Sequence, residues 1–319
     1  MRPGLLVLLL VLVGIAAWLV MDKAARRTSP ASRSSAIAQA DSEASIVLTD
    51  DSTSEAAAEV ATPPTKEQKS ASPLSRTATP SITALVRLEQ AYAQGAACQI
   101  VRHTYYALCY DEKYEQPRWT VHILEGAQLA RGRIRRTQDF RPDPHVPTGS
   151  AALEDYKRSG YDRGHLVPAG DFKWDSVGMT ETFYLSNMSP QLHEFNAGIW
   201  EEVESTVRSW AQAKKCLVVY TGPVLDNPRD YIGPNKVAVP RAFYKVVYWL
   251  EDEKAPRAVA FLVPHAPSRR PPMDFLVSVD SVEKVTGIDF YPALPDPIEE
   301  RVEARIERDF WRPPKRHKR

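Results

Sequence analysis

Asp162-Arg163-Gly164-His165 places a guanidinium and an imidazole two residues apart, and the amides Asn187 and Asn196 follow it along the chain. Arginine presents a planar fork of donors that suits a phosphate. Histidine exchanges a proton near neutral pH. Asparagine offers a carbonyl oxygen to a hard cation such as magnesium without adding charge. Residues of these types in this order are the parts for metal-assisted cleavage of a phosphodiester.

Such parts need elements to hold them. His165-Leu166-Val167-Pro168 reads as a short strand end, and Phe183 to Ser186 as a second strand. A helix is predicted over residues 196–213, because Ile199, Val203, Val207 and Trp210 recur at three- and four-residue steps. Asn196, Trp200, Glu204 and Arg208 lie four apart, on a stripe beside that apolar face. One helix would then pack on a sheet and still present an amide, a carboxylate and a guanidinium to a cleft.

The surrounding chain supplies more elements. Ile82 to Ala93 has helical spacing, and Tyr105 to Tyr110 with Arg118 to Leu124 reads as a hairpin. Leu217 to Tyr220, Phe243 to Leu250 and Ala258 to Val263 read as core strands. Asp280 to Thr286 reads as a short helix closed by Gly287. Strands and helices mix without a βαβ period, which points to an α+β domain.

The ends of the chain differ from its middle. Gly4 to Met21 is almost wholly apolar and has basic residues on both sides. Such a run is long enough to span a bilayer, and it reads as an uncleaved anchor or a signal segment. Residues 28–80 are rich in Ser, Thr, Ala and Pro and read as a disordered stalk. The expected organisation is an anchor over 1–27, a stalk over 28–80, a folded domain over 81–311 and a basic tail over 312–319. The expected placement is membrane-anchored through residues 4–21, with the domain outside the cytoplasm, or secreted after cleavage of the segment.

Three cysteines are present. A Cys98–Cys109 disulfide fits an oxidising compartment; the alternative is three reduced, buried thiols. No second Cys or His pair has the spacing of a zinc site. Lys and Arg total 41 against 40 Asp and Glu, a net charge of +1 that excludes bulk attraction to nucleic acid. The charge is clustered, however. Arg131, Arg133, Arg135, Arg136 and Arg141 crowd one segment, and a phosphate backbone needs only a local positive groove.

These residues resemble the DNA/RNA non-specific endonucleases with the ββα-metal fold, a family that includes secreted bacterial nucleases and the endonuclease G type. The resemblance runs through Tyr106-Ala-Leu-Cys-Tyr110, Tyr161-Asp-Arg-Gly-His-Leu-Val-Pro168 and Ser186-Asn-Met-Ser-Pro-Gln191. It continues through Phe195-Asn-Ala-Gly-Ile-Trp200, Thr221-Gly-Pro223, Val239-Pro-Arg-Ala-Phe-Tyr-Lys245 and Val285-Thr-Gly-Ile-Asp-Phe290. It implies a central, mainly antiparallel sheet flanked by helices, and hydrolysis of DNA and RNA through phosphate contacts.

The resemblance also implies roles. His165 is the general base, and Asn196 the direct ligand of Mg2+, for which Mn2+ can substitute. Glu204 holds a metal-bound water. Arg163 and Arg208 contact the scissile phosphate. Asn187 helps to place His165 and the phosphate. Arg136 stands for a further family arginine. A homodimer is compatible with the resemblance.

Blander readings stand beside these. The histidines other than His165 default to structural roles. Asp162 reads as a structural acceptor, Trp200 and Phe195 as core, and Glu204 with Arg208 as a surface pair. Two other functions use the same residues: a catalytically weak receptor for nucleic acid, and a phosphodiesterase of narrower substrate.

Overall fold

The computed structural model of the protein describes residues 87–252 and 254–312. The apolar run 4–21, the segment 28–80 and the tail beyond residue 312 lie outside the described residues. Eleven strands follow in chain order: β1 (Gln99–Arg102), β2 (Tyr106–Asp111), β3 (Gln116–Glu125), β4 (Asp162–His165), β5 (Met188–Gln191), β6 (Cys216–Pro223), β7 (Asp230–Ile232), β8 (Val237–Val239), β9 (Ala242–Trp249), β10 (Arg257–Pro264) and β11 (Leu276–Val277). Seven of them form one sheet in the order β1-β2-β3-β6-β9-β10-β11, antiparallel throughout. β4 and β5 form a separate antiparallel ribbon, as do β7 and β8.

Both faces of the large sheet are covered, and the two-residue period of a strand decides which side chain goes where. Val218, Tyr220, Tyr244, Val246 and Tyr248 enter one core with Leu88, Val279, Val282 and Phe290. Leu217, Val219, Phe243 and Val247 enter the other, beneath Val203, Val207 and Trp210. These three belong to the helix Glu201–Lys214. Trp210 is fully buried and stacks on Phe261 at 5.4 Å. Burial of each such large side chain contributes about 1.5–3 kcal/mol.

Under the helix the apolar face is interrupted. Thr120 pairs with Thr221 in register, and Thr221 with Lys245. Lys245 shares its face with Phe243 and Val247, so its ammonium lies beneath the helix, where Nζ donates to Thr221 Oγ1 at 2.6 Å.

The opposite face is closed by the helix Val279–Thr286. Ser278 caps its start by accepting from the Ser281 amide. Gly287 ends it at φ 67°, a left-handed conformation that favours glycine. Cys98 and Cys109 form a disulfide that ties the residue before β1 to β2.

The α+β class, the antiparallel sheet, the hairpin and the three core strands agree with the sequence reading. Three local expectations are corrected. The predicted strand over Phe183 to Ser186 is instead a turn that leads into a 3-10 segment, Leu185–Asn187. The Asn187 side chain draws the backbone round by bonding the Thr182 carbonyl, and the pairing strand is β5. The predicted helix over 196–213 begins with a π-helical turn, Phe195–Trp200, which breaks at Gly198 (φ −112°, ψ −112°); the α-helix proper starts at Glu201. Trp200 therefore leaves the polar stripe and packs against Phe195 and Phe243 in the core. The predicted helix over Ile82 to Ala93 is helical in its described part only to Gln90.

Candidate active site

β4 carries Arg163 and His165 on one face, two residues apart, with His165 opposite Met188 of β5. Gly164 between them faces the Gln191 side chain so closely that a Cβ would overlap it. The His165 ring is buried, set edge-on to Phe183 at 4.8 Å and to Phe140 at 5.7 Å. Its Nε2 has no hydrogen-bond partner among the described residues. Burial, and then the charges of Arg136 and Arg163, lower the imidazole to about 3, so it is neutral at physiological pH. Arg163 is exposed and lies over the Phe140 ring at 4.3 Å. Arg136 lies over the Phe183 ring at 5.4 Å, so two guanidiniums flank the imidazole across two aromatic rings.

Asn196 is half-buried in the π-turn and donates Nδ2 to Asp162 Oδ2 at 2.9 Å. That bond assigns the amide, with nitrogen toward Asp162 and oxygen away from it. Asp162 also pairs with His193 Nδ1 at 2.9 Å. Asp162 thus acts as an acceptor, and the side chain it orients is Asn196.

Asn187 is fully buried. Its Oδ1 accepts from the Val167 amide, and its Nδ2 donates to the carbonyls of Val167 and Thr182. Its amide is therefore spent on the backbone that leaves His165.

Glu204 and Arg208 are joined at 3.6 Å, but they are not a plain surface pair. Arg208 also bonds Asp171 at 3.1 Å, and Asp171 bonds His122 Nε2 at 3.1 Å. Asp171 and His122 are buried, as is Lys245 below them. Burial raises Glu204 to about 7 against the opposing charges of Lys245 and Arg208. Burial lowers Lys245 to about 8 against the attraction of Glu204 and Asp171. Asp171 and His122 escaped the sequence reading, because they stand on elements far apart in the chain. Lys245 carried a signal: it is the one charge inside the apolar strand Ala242–Trp249.

Arg131, Arg133, Arg135 and Arg136 remain exposed, whereas Arg141 is held over Tyr184 at 4.1 Å and bonds Asp139. His265 is structural, as expected: it accepts from the Leu192 amide and faces the Pro240 carbonyl.

The family profile described as DNA/RNA non-specific endonuclease matches residues 87–297. The chain is 38% identical over 207 residues to "Nuclease EXOG, mitochondrial" of Danio rerio, covering 60% of each chain. It is 33% identical over 216 residues to "Endonuclease G, mitochondrial" of Homo sapiens, covering 64% of this chain and 73% of that one. A solved EndoG/EndoGI complex, described as showing the mechanism of EndoG inhibition, contains a chain that superposes with a TM-score of 0.61 at 31% identity. That match covers 69% of this chain and 95% of the other. The chain spans about three-fifths of the length of the EXOG relatives.

These relatives correct the expected placement. A membrane-anchored domain outside the cytoplasm is not supported, since the similar proteins are named as mitochondrial nucleases. Among the described residues no helix is long and apolar enough to cross a membrane.

Proposed function

The chain belongs to the DNA/RNA non-specific endonuclease family, and from that premise we propose that it is a metal-dependent, sequence-nonspecific endonuclease that hydrolyses phosphodiester bonds of DNA and RNA. The observation that carries the reading is His165. It is a buried, neutral imidazole with Nε2 unpartnered among the described residues, flanked by two guanidiniums. A buried ring nitrogen without a partner is costly, and a base awaiting a water accounts for it.

The donors present fit magnesium. The Asp162 bond leaves Asn196 Oδ1 as a neutral oxygen for a hard cation, and the Glu204 carboxylate suits a metal-bound water. When bound, magnesium supplies positive charge at the leaving oxygen.

The chain's own groups do the rest. His165 Nε2 takes the proton of the attacking water as the bond from phosphorus to the leaving oxygen breaks. Arg163 and Arg208 stabilise the nonbridging oxygens as charge builds on them. The exposed Arg131, Arg133, Arg135 and Arg136 bind phosphates beyond the scissile one, and phosphate contacts carry no sequence information. The catalytic unit is the domain over 81–311.

The test is incubation of the full chain with supercoiled plasmid and with single-stranded RNA, with and without magnesium. Nicking of closed circles and loss of RNA, both stopped by EDTA, are expected. Cleavage from free ends alone, or binding without cleavage, would overturn the endonuclease reading.

A further inference from the structure

Three side chains outside the phosphate-directed site converge from two separate segments. His103 stands between β1 and β2, whereas Asp143 and His145 belong to the loop that follows Arg141. His103 Nε2 lies 3.1 Å from Asp143 Oδ2, and His145 Nδ1 lies 3.1 Å from Asp143 Oδ1. One ligand atom from each can be chosen so that all three lie within 4.8 Å of one another.

His103 needs explaining. Its side chain is wholly enclosed, and neither ring nitrogen makes an aligned hydrogen bond among the described residues. The 3.1 Å approach to Asp143 has the length of a hydrogen bond but not the direction. The ring cannot turn to find another partner. Tyr106 stacks on it at 4.4 Å and Tyr184 at 5.2 Å. An imidazole held in one orientation, with Nε2 close to a carboxylate and a second imidazole edge-on at 5.2 Å, has the surroundings of a metal ligand.

The remaining parts fit. Asp143 is buried and anchored by the Ser186 hydroxyl and by the His145 amide, supports that orient a ligating carboxylate. The His145 side chain is 51% exposed, which gives an entry path and an open coordination position. Two imidazole nitrogens and one carboxylate oxygen suit zinc and its neighbours, which accept three protein ligands and a water. Magnesium prefers oxygen donors and is excluded by the same chemistry. Sequence spacing could not show this set, since His103 is distant from the other two residues along the chain.

We propose that His103, Asp143 and His145 form a binding site for a zinc-class divalent transition metal, distinct from the magnesium site at Asn196. The metal fastens the loop of Asp143 to the turn between β1 and β2. Phe140 stands three residues before Asp143, and its ring lies against both His165 and Arg163. Occupancy therefore stiffens one wall of the base's pocket. The site does not depend on the nuclease reading.

The test is calorimetric titration of the full chain, freed of metal, with zinc chloride. It is repeated in a His165→Ala background, so that the base contributes no ligand. One saturable site is expected in both. His145→Ala alters an exposed side chain and should weaken zinc at least about tenfold, because even outer partners of a metal site are worth about 10–100-fold. Magnesium-dependent plasmid cleavage by His145→Ala, assayed without zinc, should stay at the level of the parent assayed in the same way. Cobalt should give the visible absorption of a low-coordinate nitrogen and oxygen site in the parent and lose it in the variant. Absence of saturable zinc binding in the parent, or equal binding in His145→Ala and Asp143→Asn, would overturn the proposal.

Discussion

Asn196 gives its amide nitrogen to Asp162, so the residue that opens β4 orients the amide proposed to hold the metal, and β4 ends on the proposed base. Metal ligands held by an outer partner lose about 10–100-fold in affinity or activity when that partner goes. Asp162→Ala should weaken magnesium binding by that factor and raise the magnesium needed for half-maximal cleavage. Asn196→Ala should do the same more severely. A magnesium titration of cleavage decides it, and an unchanged midpoint in folded Asp162→Ala would remove Asp162 from this role.

His165→Ala should fail differently. Loss of a general base lowers turnover by about 10²–10⁴, while magnesium and DNA still bind. Circular dichroism must first show a folded protein, because the ring fills space between Phe140 and Phe183. Near-normal cleavage by a folded variant would mean that another group takes the proton.

The lowered His165 sets an expected pH dependence. Arg136 and Arg163 are the charges that face it, and both act with burial to lower it. The unfolded chain takes up a proton near pH 6.5 that the folded chain refuses until about pH 3. Stability from this group is therefore complete above pH 6.5 and falls as pH drops through that window. His265, lowered to about 4 first by burial, acts in the same direction. Denaturant midpoints measured between pH 4 and pH 7 should fall toward the acid end, and the parent should lose more than His165→Ala. Equal losses would show that His165 is not held neutral in solution.

Lys245 is a buried cation set against Glu204, Asp171 and Arg208. Lys245→Met leaves two carboxylates facing one guanidinium beneath the helix. Breaking a buried ionic set in this way costs about 3–5 kcal/mol. Urea denaturation should register that loss. A change within about 0.5 kcal/mol, the size of an ordinary surface effect, would show that the carboxylates are not charged together.

The parts of the site that lie close in sequence were legible in it. Arg163 and His165 are two residues apart on a strand, and Glu204 and Arg208 are four apart on a helix; the periods of those elements put each pair on one face. The strands from Leu217 to Val263 were legible because both sheet faces are buried, so their sequences run apolar except at Lys245. What escaped depends on tertiary approach. Asp171 meets His122 and Arg208 only because the sheet, the 3-10 turn Ala169–Phe172 and the helix come together. The π-turn escaped because Gly198 gives no positive sign that the helical count will slip. Asn187 was legible as important but not as buried, since an asparagine that bonds backbone and one that bonds phosphate look alike in a sequence.

The β4–β5 ribbon has a consequence for how sequences of this kind can vary. It is four residues long on each side, with Asp162 at one end and His165 at the other. Successive strand residues point to opposite faces. One residue inserted between Asp162 and His165 would send the imidazole to the wrong side while leaving every side chain of the motif present. The same residue inserted in the chain between Pro168 and Thr182 would leave the alternation within β4 untouched. Length should therefore be frozen within the ribbon, so a gap in this one stretch would mark loss of activity more surely than many substitutions elsewhere.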